Sequence, residues 1–468
     1  MTMTATKPST IADLRRDGYQ GTPIKEEMRR NLIAKMRAGD ALFPGIVGYD
    51  DTVIPQVQNA ILSGQDIVLL GERGQAKTRL ARSLVSLLDD EVPYIAGCEI
   101  NDDPFEPVCS RCRALVALSG DAVEIAWLQR DHRFGEKLAT PDITIADLIG
   151  EIDPIKVAEG RYLSDEDTIA FGLIPRTNRG IFCLNELPDL AERIQVGLLN
   201  IMEERDFQIR GYKIRLPLDV FIVASANPED YTNRGRIITP LKDRIGSEIR
   251  THYPLTIAGE VSIMVQEAAP FASDAYTVIY PTFMKEIIAE ITHLARRSPD
   301  ISKRSGVSVR VSICNYENVR SNAVRRAIML DETTVAPRIS DLSAILSSTA
   351  GKIELETVGD VDETRLIDRI VQGAIVEVWN RYFDSDDFDV LLGRFERGFG
   401  VDASDGLPAS AYLKGLQDIP GLQESIVTLE AQGNPATIAS AVEFIMEGLH
   451  LNRRLNKDRS TGKSRYRR

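Results

Sequence analysis

Ile67-Val68-Leu69-Leu70-Gly71-Glu72-Arg73-Gly74-Gln75-Ala76-Lys77-Thr78 is the stretch on which the reading of this 468-residue chain turns. Four apolar residues predict a buried strand. A glycine-containing turn follows without a gap. Residues 79–88 predict a helix, because Leu80, Leu84, Leu87 and Leu88 fall on one face. Strand, turn and helix in that order are the context a phosphate-binding loop requires. Its glycines let backbone N–H groups turn inward, and the helix N-terminus adds positive potential. The loop residues Gly71, Glu72, Arg73, Gly74, Gln75, Ala76, Lys77, Thr78 and Arg79 are the expected nucleotide contacts. Lys77 is expected to reach the outer phosphates of ATP, and Thr78 to offer its hydroxyl to Mg²⁺. Ala76 stands where glycine is usual, which fits if φ there is negative.

Two further apolar runs, 180–184 and 219–224, predict strands buried on both faces, as in a parallel sheet between helices. Such sheets carry their ligands at the carboxyl ends of the strands. The first run ends in Asn185-Glu186. A carboxylate there polarises an attacking water, which makes Glu186 the candidate catalytic residue. Asn185 occupies the place of a common aspartate. Its amide can accept from a water on Mg²⁺ but brings no charge, so weaker Mg²⁺ affinity and slow turnover are expected. The second run leads into Ser225-Ala226-Asn227-Pro228, where Asn227 is placed to sense the γ-phosphate. Arg244, in Leu241-Lys242-Asp243-Arg244-Ile245, is the candidate for stabilising phosphoryl charge in a neighbouring copy. Arg310 opens a predicted helix from which it could contact the phosphates.

Composition sets the wider frame. With 43% hydrophobic and 27% charged residues the chain reads as globular, and it is long enough for two to four domains. No run of about eighteen apolar residues predicts a membrane span, and the N-terminus lacks a secretory apolar core. Five cysteines do not suggest a disulfide scaffold, so a reducing cytoplasm is expected. A net charge of −13 argues against nucleic acid as a partner. The pattern predicts a helical N-terminal segment over 1–42, with a helix at 25–38 whose face is Met28, Leu32, Ile33 and Met36. An α/β domain is expected over 43–254, a helical lid over 255–350 and further helices over 351–451. The tail 452–468 carries eight basic residues against a single Asp458 and reads as disordered.

Phosphate loop, acidic strand, polar strand and arginines arrive in an order that resembles the AAA+ superfamily, in the branch of the magnesium chelatase ATPase subunit and the MoxR ATPases. The likeness runs from about 43 to 319. Ile46-Val47-Gly48 resembles the segment packing near adenine; Asn178-Arg179-Gly180, Ala226-Asn227-Pro228-Glu229 and Asp243-Arg244 are similar to the chelatase subunit; and residues 159–172 fall where that branch inserts a hairpin. Ala76-Lys77-Thr78 is nearer the MoxR form. The resemblance implies a five-stranded parallel sheet in an α/β/α domain with an all-α lid, assembled as a hexameric ring. It implies Arg244 as arginine finger, Asn227 as sensor-1 and Arg310 as sensor-2. It also implies a partner with a von Willebrand A domain and, in the chelatase, a large porphyrin-binding subunit. Asn185 and the region after residue 331 depart from the short chelatase subunit.

Cys98, Cys109 and Cys112 share one loop-like stretch, with Cys-Ser-Arg-Cys at metal-ligand spacing. A tetrahedral zinc site needs a fourth ligand, for which His132 is the candidate. A thiol switch and a loop of unremarkable free thiols are the other readings, the last being preferred. Cys183 and Cys314 are expected in the core.

Overall fold

A computed structural model describes residues 7–158, 166–204, 207–209, 212–214, 216–227, 236–271, 273, 275–302, 306–356, 362–413, 422–460 and 463–468. The chain divides between His252 and Tyr253 into two compact units.

The first unit is built on five strands: β1 (Ile67–Leu70), β2 (Phe134–Leu138), β3 (Gly180–Asn185), β4 (Val220–Ala226) and β5 (Ser247–Arg250). They form one parallel sheet in the order β5-β1-β4-β3-β2. Alternation within the strands explains the three layers. Ile67, Leu69, Ile181, Cys183, Phe221 and Val223 join one apolar cluster, with the helices Ile24–Ala38, Val53–Leu62 and Lys77–Ser83. Their neighbours Val68, Leu70, Phe182, Leu184, Ala224 and Ala226 join the cluster on the other face. Successive side chains point to opposite faces, so a continuous apolar run fits a strand covered on both sides. The edge strands β2 and β5 are more polar, which is why periodicity did not single them out.

Residues 7–42 are integral to this unit. Ile11 and Leu14 join one cluster, and Ile24, Met28 and Leu32 join the other. The buried stripe of the helix Ile24–Ala38 therefore runs through Ile24, Met28 and Leu32, and Met36 is exposed. Within the stretch 159–172 expected to hold an inserted hairpin, Ile169–Phe171 pairs antiparallel with Gly150–Ile152, which precedes that stretch, and residues 159–165 lie outside the described residues.

The second unit is mainly helical. Helices Ile257–Glu267, Thr282–Arg297 and Val309–Leu330 share one core with Glu363–Tyr382 and Pro435–Leu451. Phe283 and Phe444 stack across it with centroids 4.7 Å apart, so segments 255–350 and 351–451 pack as one body.

Most described residues of the basic tail form strands, contrary to the charge-based expectation of disorder. Asn456–Ser460 and Lys463–Arg467 pair antiparallel, and the latter also pairs with Val401–Ala403. Tyr466 is buried and gives its hydroxyl to Glu447, which also takes Lys457 at 2.6 Å. Arg454 meets Asp389 at 3.0 Å, and Arg467 meets Asp458. Counting charges within the tail left out Asp389 and Glu447, which lie outside it.

Helices Glu363–Tyr382 and Pro435–Leu451 approach closely at Gly448, where an added Cβ would fall 1.9 Å from Cδ1 of the fully buried Trp379. Alanine there gains about 1 kcal/mol of helix propensity but overpacks the core at a cost of about 1–3 kcal/mol. Gly448→Ala is therefore expected to unfold at lower urea concentration than the parent, measured by circular dichroism.

Candidate functional site

The site forms where β1, β3 and β4 end side by side. Leu70 is level with Ala226 across β1 and β4, and Ala224 with Leu184 across β4 and β3. This register sets the loop 71–78, Asn185-Glu186 and Asn227 beside one another.

The loop is anchored from behind. The Gly71 N–H donates to the Ala226 carbonyl at 3.1 Å. A Cβ on Gly71 would fall 1.9 Å from Thr251 Oγ1 and 2.2 Å from Gln75 Oε1, so only glycine fits. The buried Gln75 accepts from the Thr251 hydroxyl at 2.7 Å and from the Glu72 N–H at 3.1 Å. The Tyr49 hydroxyl lies 2.8 Å from both the Gln75 and His252 carbonyls. Burial pushes the Tyr49 phenol up to about 12, keeping it a neutral donor. Ile46 is buried beneath this corner, Val47 half-buried and Gly48 exposed, in the left-handed region at φ 79°.

Gly74 and Ala76 both take left-handed conformations, at φ 78° and φ 54°. The sequence argument that Ala76 keeps a negative φ is thus corrected. The loop demands a turn there whichever residue is present, and alanine accepts strain of about 1–2 kcal/mol.

Lys77 is 7% exposed. Its ammonium donates to the Gly71 carbonyl, to the Glu72 carbonyl at 2.9 Å and to Asn227 Oδ1 at 2.7 Å. Asn227 Nδ2 donates to Glu186 Oε2 at 2.7 Å. Only one orientation of the amide satisfies both an ammonium and a carboxylate. Asn227 therefore links Lys77 to Glu186 directly. Glu186 adopts φ 56°, and its N–H donates to Ser225 Oγ at 3.2 Å.

Asn185 is the second hub. Its Oδ1 accepts from the Thr78 and Ser225 hydroxyls, each at 3.2 Å, and its Nδ2 donates to Glu136 Oε1 at 2.7 Å. Glu136 lies on β2 and also accepts from Arg82 at 2.7 Å. The hydrogen bond and charge of Glu136 raise the Arg82 pKa further. A carboxylate thus stands one hydrogen bond from the place where aspartate is common. Sequence reasoning missed it, because Phe134–Leu138 is half-polar and Glu136 belongs to no contiguous motif. Cys183 is buried beneath, its thiol pushed up to about 12 by burial. Cys314, expected in the core, is only half-buried.

The remaining arginine candidates are exposed. Arg79 and Arg73 are exposed on the loop and its helix. Arg244 is exposed at the end of the helix Thr239–Arg244, lying against Pro240 and Asp243 of that helix. Arg310 belongs to the second unit, exposed in the first turn of Val309–Leu330, where its N–H donates to the capping Ser308 hydroxyl at 3.2 Å. Pro228 and Glu229 lie outside the described residues. Asn178 and Arg179 serve a packing role. Asn178 bonds the Ile100 carbonyl at 2.9 Å, and Arg179 pairs with Asp103 at 3.1 Å.

Parts of the chain are similar to known proteins. Residues 157–246 match the sigma-54 interaction domain. The chloroplastic magnesium-chelatase subunit ChlI of Oryza sativa subsp. indica is 28% identical over 249 residues, which is 50% of this chain and 54% of that protein. The chain spans about half the length of this relative. ChlI of Nephroselmis olivacea is 24% identical over 65% of this chain and 86% of its own. A model of the complex of subunits BchI and BchD of magnesium chelatase covers 70% of this chain and 98% of its own, at 16% identity and a TM-score of 0.36. Over these segments the chain is similar to AAA+ ATPases, in the branch that holds the magnesium chelatase ATPase subunit.

Proposed function

We propose that the protein binds ATP with Mg²⁺ at the loop 71–78 and hydrolyses it as the motor subunit of a ring that remodels a partner complex. The observation that carries this reading is Asn227, which takes the Lys77 ammonium on its oxygen and gives a hydrogen bond to Glu186 from its nitrogen. A side chain in that position reads phosphate binding at Lys77 and relays it to the group that polarises water. The backbone N–H groups of 71–78 and Lys77 hold the phosphates, and Glu186 orients and polarises the attacking water. Ile46, Val47 and Gly48 border the adenine side.

Oxygen donors suit Mg²⁺, and Thr78 and Asn185 bring two of them within 3.2 Å of each other. Bound there, Mg²⁺ neutralises phosphate charge. Glu136 restores the negative charge that Asn185 lacks. Arg244 is assigned as the finger reaching a neighbouring copy, and Arg310 as the lid residue that couples nucleotide state to lid angle. Likeness to the chelatase subunits supports a ring, a von Willebrand A partner and a large porphyrin-binding subunit. Left-handed Ala76 and the region after residue 331 fit a MoxR-like chaperone equally. No helix among the described residues is long and apolar enough to cross a membrane, and we place the protein in the cytoplasm.

Asn185 favours a second reading, in which turnover is slow and the nucleotide acts as an assembly switch. Asn185→Asp separates the two. If the amide limits the rate, the variant turns over faster than the parent. An unchanged rate would count against the switch.

Glu186→Gln is expected to keep ATP binding while turnover falls about 10²–10⁴-fold, the usual worth of a positioned base. Turnover that survives this substitution would overturn the assignment. Glu136→Gln is expected to raise the Mg²⁺ concentration needed for half-maximal turnover, with metal-free nucleotide binding unchanged. An unaltered Mg²⁺ titration would remove Glu136 from the metal site.

A further inference from the structure

Between the paired strands Glu91–Ile95 and Ile125–Gln129 runs a loop whose cysteines play no part in the nucleotide site. We propose that Cys98, Asp102, Cys109 and Cys112 form a zinc-binding centre. The ligand atoms of all four lie within 4.8 Å of one another, and all four residues are buried. A tetrahedral ion with Zn–S bonds of about 2.3 Å sets its ligand atoms about 3.8 Å apart, so only a small contraction is needed. His132, the expected fourth ligand, is exposed beyond Gln129 and lies outside this group. Asp102 takes its place. It was missed because an aspartate four residues after a cysteine carries no recognised ligand spacing.

Asp102 supplies an observation independent of the cysteines. It is fully buried, and its Oδ2 accepts the Cys109 N–H at 2.9 Å. Its Oδ1 has no hydrogen-bond partner among the described residues. A buried carboxylate oxygen without a partner is costly, and a cation at the centre of the cluster removes that cost. The backbone also prepares the sulfurs. Cys109 caps the helix Ser110–Ser119 and accepts the Cys112 N–H at 3.3 Å, while Cys98 accepts the Asp102 N–H at 3.4 Å. N–H donors and a helix N-terminus favour the thiolate that a metal requires.

Left-handed Gly97 and Asn101, at φ 73° and φ 55°, bend the chain on either side of Cys98. Arg111 closes the loop by donating to the Gly97 carbonyl at 2.9 Å. A cleft bordered by Cys98, Cys109, Lys156, Glu166 and Phe171 gives an ion a way in. Three sulfurs and one oxygen around a single point select zinc over Mg²⁺ or Ca²⁺, which take oxygen ligands. Each thiol that coordinates releases its proton to solvent. The centre braces the loop that Asn178 and Arg179 tie to the start of β3, at Ile100 and Asp103. Its role is therefore structural, and it stands independently of ATP turnover.

Elemental analysis of the full-length protein, purified under reducing conditions without chelator, is expected to find about one zinc per chain, as a four-ligand site holds. Replacement by Co²⁺ is expected to produce intense thiolate charge-transfer and tetrahedral d–d absorption. Cys109→Ser with Cys112→Ser should lose the metal, and Asp102→Cys should retain it. The cobalt spectrum of the unsubstituted protein decides the matter even where a variant fails to fold. Iron in place of zinc, a metal-free Cys109–Cys112 disulfide, or three thiols that react freely in metal-free protein would each overturn the proposal. So would zinc that survives the double substitution.

Discussion

One amide links the residues of the proposed nucleotide site. Asn227 can join Lys77 to Glu186 only because β4 lies between β1 and β3 and ends level with both. That placement follows from two-sided burial. The strands alternate residues between two apolar clusters, so a shift of one residue would exchange every side chain between layers. The packing that fixes the register thus also fixes the distances of 2.7 Å on either side of the amide. A parallel sheet between two helical layers is at once the source of stability and the ruler of the site.

Two departures from the usual sequence pattern now have different physical meanings. Asn185 is embedded in a hydrogen-bonded set that includes Thr78, Ser225 and the Glu136 carboxylate, so a carboxylate of the neighbouring strand stands one hydrogen bond away. Ala76 has no such partner. It holds a left-handed turn that glycine would hold without strain. The first is a redistribution of charge within the site. The second is a local cost carried by the surrounding loop.

Much of this was legible in the sequence, and the reasons for the misses are specific. β1, β3 and β4 announced themselves as apolar runs because both faces are covered. β2 and β5 did not, because edge strands carry polar residues, and Glu136 was hidden with β2. Glu186 and Asn227 could be named because each comes within three residues of the end of an apolar run, in the order phosphate loop, acidic strand, polar strand. Their mutual hydrogen bond could not, since it joins residues 41 positions apart. The tail misled for a different reason: its charges were weighed within 452–468, while Asp389 and Glu447 that answer them lie outside that stretch. Asp102 likewise becomes a ligand candidate only when folding brings it to three cysteines.

The central claim is that Lys77, Asn227 and Glu186 act as one unit. A double-substitution cycle on steady-state ATP turnover, with Asn227→Ala and Glu186→Gln made singly and together, tests it most directly. Residues working as a unit predict that the double variant is no slower than Glu186→Gln alone. Fold losses that multiply would show two independent contributions and contradict the account.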